Sequence, residues 1–506
     1  MTERGTRPGQ IALLALTLAL AGLACLPGFA AAAGALNNSG TLEFNAAAGE
    51  TNNLTLAKQG NAFIFTDSGA PIAPGAGCAF VTPNQVSCPA AGVDRISVEL
   101  GNLGDRFTVV GTIRLPCCSG VVARGEADND VLNTGVGRSE FFGDGGQDTL
   151  NGNAGRDRLV GGPGNDVLNG AGAGDTLEGN EGNDVEDGGA GSDSFTDNSS
   201  TSSVADGADV LSGGSGRDTL SHSSRDDGVT VDLDGVADDG AGCPGPGCGG
   251  DNVMPDVENV EGGAGNDVLT GNGSANLLDD FGGGDDQFNG LGGDDRLRGF
   301  DGDDVMQGGA GADILDDGAD ADRLLGGRGD DFLIAQALDL AADAYSGGRG
   351  ADGVDFVGGQ GKGLVTVYGG IHFALRVSLD GRPNDGTVSP LISGPKDNAK
   401  ADLEDIVSGE GSDVLIGNKR ANQILGGDGN DRIVGLGGPD GLLGENGNDK
   451  LTGGKGRDLL DGAGGADRLT SRDKKPDEVR CGASTDRVKG DRSDHLAADC
   501  DKRRLK

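Results

Sequence analysis

The sequence predicts an all-β protein built mainly of solenoid arrays, with a small antiparallel β-domain in front of them. Three observations carry this. Glycine supplies 100 of 506 residues and aromatic residues only 3%, with no Trp, which rules out a conventional large core. From Gly125 a nine-residue period takes over, the signature of a repeat architecture. Within each period a single apolar position follows a glycine-rich acidic turn, leaving room for only a very short strand.

In chain order, residues 1–33 read as a secretory signal. Arg4 and Arg7 precede the apolar run Ile11–Leu26, and Ala30–Ala33 follow as small residues at a processing site. A retained anchor is the alternative, because Ile11–Ala33 carries no charge. Residues 34–124 are not repetitive. Segments such as Asn52–Asp67 and those from Asp94 and Asp105 alternate apolar and polar residues between Gly, Pro and Asn, as short antiparallel strands do. After processing, eight cysteines fall in local groups: Cys78/Cys88, Cys117/Cys118, Cys243/Cys248 and Cys481/Cys500. An even number in an exported chain suggests local disulfides, and no histidine lies near any group to suggest zinc.

Written G-G-x-G-x-D-x-U-x, with U a large apolar residue, the period is met at every specified place by GGPGNDVLN at 161–169. It runs over 125–196, 204–221, 262–279, 281–334, 338–355 and 408–470, giving 27 units, of which 24 have Asp at the sixth place. In the array of 125–221 these are Asp130, Asp148, Asp157, Asp166, Asp175, Asp184, Asp193, Asp209 and Asp218. The array of 262–355 contributes Asp267, Asp286, Asp295, Asp304, Asp313, Asp322, Asp331, Asp343 and Asp352. The array of 408–470 contributes Asp413, Asp431, Asp440, Asp449, Asp458 and Asp467.

Two inserts, 222–261 and 356–407, interrupt the arrays and are related to each other. A constant offset of 146 matches Val231, Leu233, Asp234, Gly235 and Asp239 to Val377, Leu379, Asp380, Gly381 and Asp385, and Glu258 to Glu404. Residues 471–506 carry 11 Lys/Arg against 8 Asp/Glu and read as a cap closed by Cys481 and Cys500, with KRRLK as a frayed, solvated tail.

Buried apolar surface from one residue in nine cannot offset the backbone entropy of ordering the other eight, and stacked acidic turns add like-charge repulsion. A hard divalent cation reverses that balance. Calcium takes six to eight oxygen ligands from carboxylates and carbonyls in flexible geometry, whereas magnesium demands a strict octahedron and softer metals want His or Cys. With two nonamers per coil, like turns stack 18 residues apart, placing Asp148, Asp166 and Asp184 in one column and Asp157, Asp175 and Asp193 in the other. Several calcium ions between neighbouring turns are therefore expected.

These blocks resemble the RTX (repeats-in-toxin) calcium-binding repeats, over about half of the mature chain. The resemblance implies a parallel β-roll ordered by calcium, with each of the 24 sixth-place Asp residues as a ligand and turn carbonyls completing the shell. The wider arrangement is similar to that of secreted bacterial calcium-binding proteins. Ser139, Asn276 and Asn422 take the sixth place in their units, so weak or absent sites are expected there. Glu186 stands where an apolar residue belongs, and the extra residue Asp280 is expected to end one roll and start another. The acidic stretch Asp232–Gly240 lacks EF-hand spacing and reads as an ordinary turn.

A net charge of −41 excludes nucleic acid and anionic membranes as general partners and favours cations. No H-E-x-x-H surrounds His222, His372 or His495; GGSGRD at Gly213–Asp218 departs from G-x-S-x-G; and no long apolar helix follows the leader. The expectation is a secreted or cell-surface calcium-binding protein without catalytic residues, whose rolls stiffen in extracellular calcium. A calcium-dependent adhesin recognising an extracellular glycan or cell-surface component is the alternative, and a polysaccharide-modifying enzyme a more distant one.

Overall fold

The computed structural model describes residues 33–36, 40–115, 120–196, 207–241, 250–336, 343–349, 353–357, 375–382, 386–387, 398–409 and 411–505. Residues 1–32 of the leader, Cys117, Cys118, Cys243, Cys248, Asp352, His372 and Asp385 lie outside them. The chain forms two compact units, residues 1–190 and 191–506. Both are all-β, and among the described residues no helix is long and apolar enough to cross a membrane.

In the first unit, Asn53–Gln59, Ala62–Asp67 and Gln85–Pro89 form antiparallel pairs, closed near one end by the Cys78–Cys88 disulfide. The segment is mixed rather than wholly antiparallel. Thr41–Asn45 pairs in parallel with Arg95–Glu99, and Asn53–Gln59 in parallel with Arg106–Val110. The reason is that these strands already belong to the winding. Arg95–Glu99 pairs onward in parallel with Val121–Ala127, and Arg106–Val110 with Val131–Asn133.

From there each coil takes 18 residues and two short strands. One ladder runs Leu132, Leu150, Leu168; the other runs Phe141, Leu159, Leu177. All six side chains are completely buried. The eighth place of the nonamer therefore points inward, and its neighbours at the seventh and ninth places point out, as strand alternation requires. Phe107 and Phe141, with ring centroids 5.8 Å apart, extend this narrow core toward the N-terminal strands. Glu186 occupies an inward place, and its Oε1 accepts the Gly179 N–H at 3.0 Å.

In the second unit one ladder of parallel strands continues from Ser194–Thr196 to His495–Leu496. The facing ladder changes sheet at each insert. Asn252–Val253 pairs with Val210–Gly216, while the hairpin of Val229–Asp232 with Gly240–Ala241 starts a new sheet that pairs onward with Val268–Thr270. The second insert repeats this at the same offset of 146. Asn398–Ala399 pairs with Ala344–Arg349, and Leu375–Ser378, paired with Gly386–Thr387, begins the sheet joined by Val414–Ile416. The inserts are splices in one wall of the roll while the other wall runs on.

Two expectations change here. Asp280 does not end a roll: Val268–Thr270 pairs with Gln287–Asn289, and Leu277–Asp279 with Arg296–Arg298, across a coil lengthened by one residue. Nor is KRRLK frayed. Lys502–Leu505 is a strand paired in parallel with Arg487–Gly490, next to the Cys481–Cys500 disulfide. The winding passes straight through residues 471–490, because DEVR and DRVK repeat the inward apolar place at Val479 and Val488.

Leu297 stacks between Leu278 and Leu315 and is completely buried, whereas Leu291 is 51% exposed. Leu297→Ala should destabilise the calcium-loaded protein by about 2–5 kcal/mol, and Leu291→Ala by no more than about 0.5 kcal/mol. Urea unfolding in excess calcium, followed by circular dichroism, checks the pair. Equal effects would contradict the inward assignment of the eighth place.

Candidate metal centre

The sixth-place carboxylates form columns held by a hydrogen bond from coil to coil. The Asp130 N–H donates to Asp148 Oδ1 at 2.7 Å, Asp148 to Asp166 Oδ1 at 2.7 Å, and Asp166 to Asp184 Oδ1 at 2.7 Å. The opposite column begins at Ser139 and Asp157, whose N–H groups donate to Asp157 Oδ1 and Asp175 Oδ1. In the second unit the same bond links Asp193 to Asp218, Asp267 to Asp286, Asp286 to Asp304, Asp304 to Asp322 and Asp322 to Asp343. It also links Asp295 to Asp313, Asp313 to Asp331, Asp413 to Asp431, Asp431 to Asp449, Asp449 to Asp467 and Asp440 to Asp458. All these aspartates are buried; Asp209 is half-buried, and its N–H donates to Asp251 of the first insert.

The second carboxylate oxygen is left for something else. Oδ2 of Asp130, Asp148, Asp166, Asp286, Asp295, Asp304, Asp313, Asp322, Asp431, Asp440, Asp449, Asp458 and Asp467 is buried with no hydrogen-bond donor among the described residues. Except for Asp286 and Asp322, whose units begin with Phe281 and Asp317, each faces the glycine at the first place of its own unit. A methyl group on Gly143 would lie 2.3 Å from Asp148 Oδ2 and 2.6 Å from the Gly161 carbonyl oxygen of the next coil. On Gly290 it would lie 2.4 Å from Asp295 Oδ2 and 2.5 Å from the Gly308 carbonyl. The first-place glycine thus keeps open a cradle lined by carboxylate and carbonyl oxygens. The fourth place needs glycine for a different reason: Gly164 has φ of 157°, and a methyl there would sit 1.4 Å from the Gly146 carbonyl of the preceding coil. A buried anionic oxygen without a donor is costly unless a cation meets it. An all-oxygen set mixing carboxylate and carbonyl fits a hard cation of calcium type.

Burial accordingly pushes these carboxyls up. Asp130, Asp157, Asp166, Asp304 and Asp431 rise to about 7 and Asp286 to about 8, with neighbouring aspartates adding to the rise and the backbone N–H bond opposing it.

Where the sixth place is Asn, the cradle closes on itself. Asn276 Oδ1 accepts the Asn272 N–H at 2.8 Å, and its Nδ2 donates to the Glu258 carbonyl at 3.1 Å. Asn422, displaced by 146, does the same with the Asn418 N–H and the Glu404 carbonyl. Two side chains at the first place intrude in a similar way: Ser408 Oγ bonds Asp413 Oδ2, and Thr134 Oγ1 donates to Asp157 Oδ2 at 3.4 Å. Asp343 Oδ2 accepts the Tyr345 hydroxyl at 3.0 Å.

Sequence reasoning missed members of the columns. Asn52 donates to Asp105 Oδ1 and Asp105 to Asp130 Oδ1; at the other end Asp458 donates to Asp477 Oδ1 and Asp467 to Asp486 Oδ1. The signal for the last two was present: CGASTDRVK at 481–489 has Asp sixth and an apolar residue eighth, one residue out of register behind Ser471. Asp280 was also underestimated. It is fully buried, its Oδ2 accepts the Gly282 and Gly283 N–H groups, and its Oδ1 has no donor among the described residues. A methyl on Gly262 would meet both Asp267 Oδ2 at 2.2 Å and Asp280 Oδ1 at 2.9 Å, so two carboxylates face one cradle.

Stacked acidic turns around open oxygen cradles define a cation-binding β-roll. The family model for the RTX calcium-binding nonapeptide repeat matches residues 124–159, 142–177, 160–195, 204–223, 255–279, 282–315, 298–333, 407–442 and 435–469. The arrays belong to that repeat family, and the chain is a calcium-binding protein with sites for several ions across its repeats. No curated protein matches it.

The raised carboxyls fix a sign for pH in chelator. Their folded values lie above the roughly 4 of an unfolded Asp, so the folded roll takes up protons and unfolding releases them. Stability is then fully present below about pH 4 and is lost as pH rises through about 7 to 8, the range set by the values above. Melting followed by circular dichroism in chelator should show a higher midpoint at pH 5.5 than at pH 8. A midpoint that rises with pH would contradict the buried columns.

Proposed function

We propose that the sixth-place aspartates hold calcium between successive coils through Oδ2, with first-place glycine carbonyls of the adjoining coil beside them. The observation that carries this is the row of buried Oδ2 atoms without donors among the described residues, most of them facing a cradle that a methyl group would fill. Calcium supplies the positive charge that makes stacking of ionised carboxylates favourable. Asp209, Asp157, Asp413, Asp343 and Asp352 belong to the same set by position, the first four with altered surroundings.

The protein is, on this reading, an exported calcium-responsive roll. Its leader of residues 1–33 supports passage across a membrane in loose form, and local disulfides suit an oxidising compartment. Extracellular modules of this kind work at Kd values of roughly 10⁻⁴–10⁻³ M, so cytosolic calcium leaves the arrays loose and external calcium winds them. The segment of 34–124 starts the winding, the arrays of 125–221, 262–355 and 408–470 carry the ions, and 471–506 closes it. No catalytic role is assigned to any residue. Asp267 and Asp280 share one ion, which fills first because two carboxylates supply its charge.

Far-UV circular dichroism of residues 34–506 during a calcium titration, with magnesium as control, tests the whole reading. A cooperative gain of β signal with calcium alone is expected, and an identical spectrum in chelator would refute ordering by calcium. At the level of sites, Asn422→Asp should raise bound calcium by about one ion, since it opens a cradle now closed by Nδ2. Asp280→Asn should weaken the first-filling site and leave the rest. Equilibrium dialysis reads both, and an unchanged stoichiometry for Asn422→Asp would overturn the assignment of Oδ2 as ligand.

A further inference from the structure

The last sheet of the second unit carries an unbroken column of positive charge. Parallel register aligns Arg432 with Lys450, Lys450 with Arg468, Arg468 with Arg487, and Arg487 with Lys502. Arg432, Lys450, Arg468 and Arg487 are all exposed, and none of their side chains has a hydrogen bond or ion pair among the described residues. The parallel outward row, Val434, Thr452, Thr470, Lys489 and Arg504, ends in two further cations. Neither row contains Asp or Glu, in a chain where Asp and Glu number 81 against 40 Lys and Arg. The facing wall of the same coils has no such column: its seventh places read Gln423, Gly441, Leu459, Glu478 and His495.

A charged row on a solenoid is ordinarily a solvated face, but such rows mix their signs. Like charges directly opposite one another destabilise a sheet, and here at least four stand in succession with strands about 4.8 Å apart. Nothing in the fold requires cations at these positions, because the inward residues Ile433, Leu451, Leu469 and Val488 do the packing. The repulsion is relieved by an anionic partner with charges at regular spacing along one line.

We propose that this face binds a linear anionic polysaccharide, laid across the strands so that successive acidic groups meet Arg432, Lys450, Arg468 and Arg487. A single-stranded nucleic acid fits less well, since its recognition relies on aromatic platforms and residues 408–506 contain no Phe, Tyr or Trp. An anionic bilayer fits less well because none of the exposed large apolar residues lies on either row to anchor it. The inference rests on the calcium-ordered roll, because the column exists only when the coils are stacked.

The test uses residues 34–506 in saturating calcium with dextran sulfate as probe and uncharged dextran as control. The variant Arg432→Gln/Lys450→Gln/Arg468→Gln/Arg487→Gln is compared with Arg95→Gln/Arg106→Gln/Arg323→Gln/Arg349→Gln, which removes the same charge from exposed positions elsewhere. Expected are binding of dextran sulfate alone, loss of at least about ten-fold in the first variant, and little change in the second. Four neutralised charges at roughly 0.7 each in the salt exponent give a fall in affinity of about 50-fold between 50 and 200 mM salt. Equal losses in both variants, or tighter binding to single-stranded DNA or anionic vesicles than to dextran sulfate, would overturn the proposal. Circular dichroism on the same samples separates the two readings: binding retained in chelator with full β signal keeps the column and refutes ordering by calcium, whereas a folded wild type that ignores dextran sulfate in calcium refutes the column alone.

Discussion

Everything in this molecule depends on how the two oxygens of one carboxylate are used. At the sixth place of each nonamer, Oδ1 ties its coil to the preceding backbone, as in the 2.7 Å bond from the Asp148 N–H to Asp166. That bond fixes the stacking distance and turns the carboxylate so that Oδ2 points into the cradle. On the proposed assignment, a group that links neighbouring coils and also lines the site between them makes folding and cation binding one event, since neither oxygen reaches its position unless the coils stack. The single inward Leu of each unit, by contrast, supplies packing that any apolar residue of similar size provides, as Phe141, Phe288, Met306 and Ile433 do in their coils.

Glycine at the first and fourth places follows from the same constraint. At the first, a methyl would fill the space that Oδ2 and the neighbouring carbonyl face; at the fourth, it would strike the carbonyl of the coil before. The second place is more tolerant. It has positive φ whether Gly162, Asp144, Phe300 or Leu436 stands there, so the turn imposes the left-handed conformation on whatever residue it is given. This explains why the second glycine is the one most often replaced along the arrays, and why the large residues that replace it are exposed.

The nonamer made the roll, the 18-residue coil and the inward eighth place legible from sequence, because each is set by a local spacing. The Asp column was legible too, as the bonds from Asp130 through Asp184 bear out. Three things were not. Asp105 joins a column from outside the period, and Asp477 and Asp486 join from behind a one-residue slip at Ser471, where a strict register stops counting. The role of the inserts was hidden because their matched residues, such as Val231 and Val377, spell a strand but not its partner. Finally, the cations at 432, 450, 468, 487 and 502 are scattered in sequence, and only parallel register brings them into one line.

That last case carries a general consequence for a roll of this composition. Of its 81 Asp and Glu, 24 stand at the sixth places, where on the proposed reading bound cations offset them; the outward rows are set separately, one residue before and one after each buried apolar place. On the proposed readings, ion loading offsets part of the field opposing an anionic partner without altering the surface on which that partner lies. A chain with a net charge of −41 can in this way present a cationic face, provided that face is assembled by the same stacking that gathers the cations within. Were both proposals to hold, the attraction between the final sheet and a polyanion would be conditional on calcium twice, once through the register of the column and once through the charge of the coils behind it.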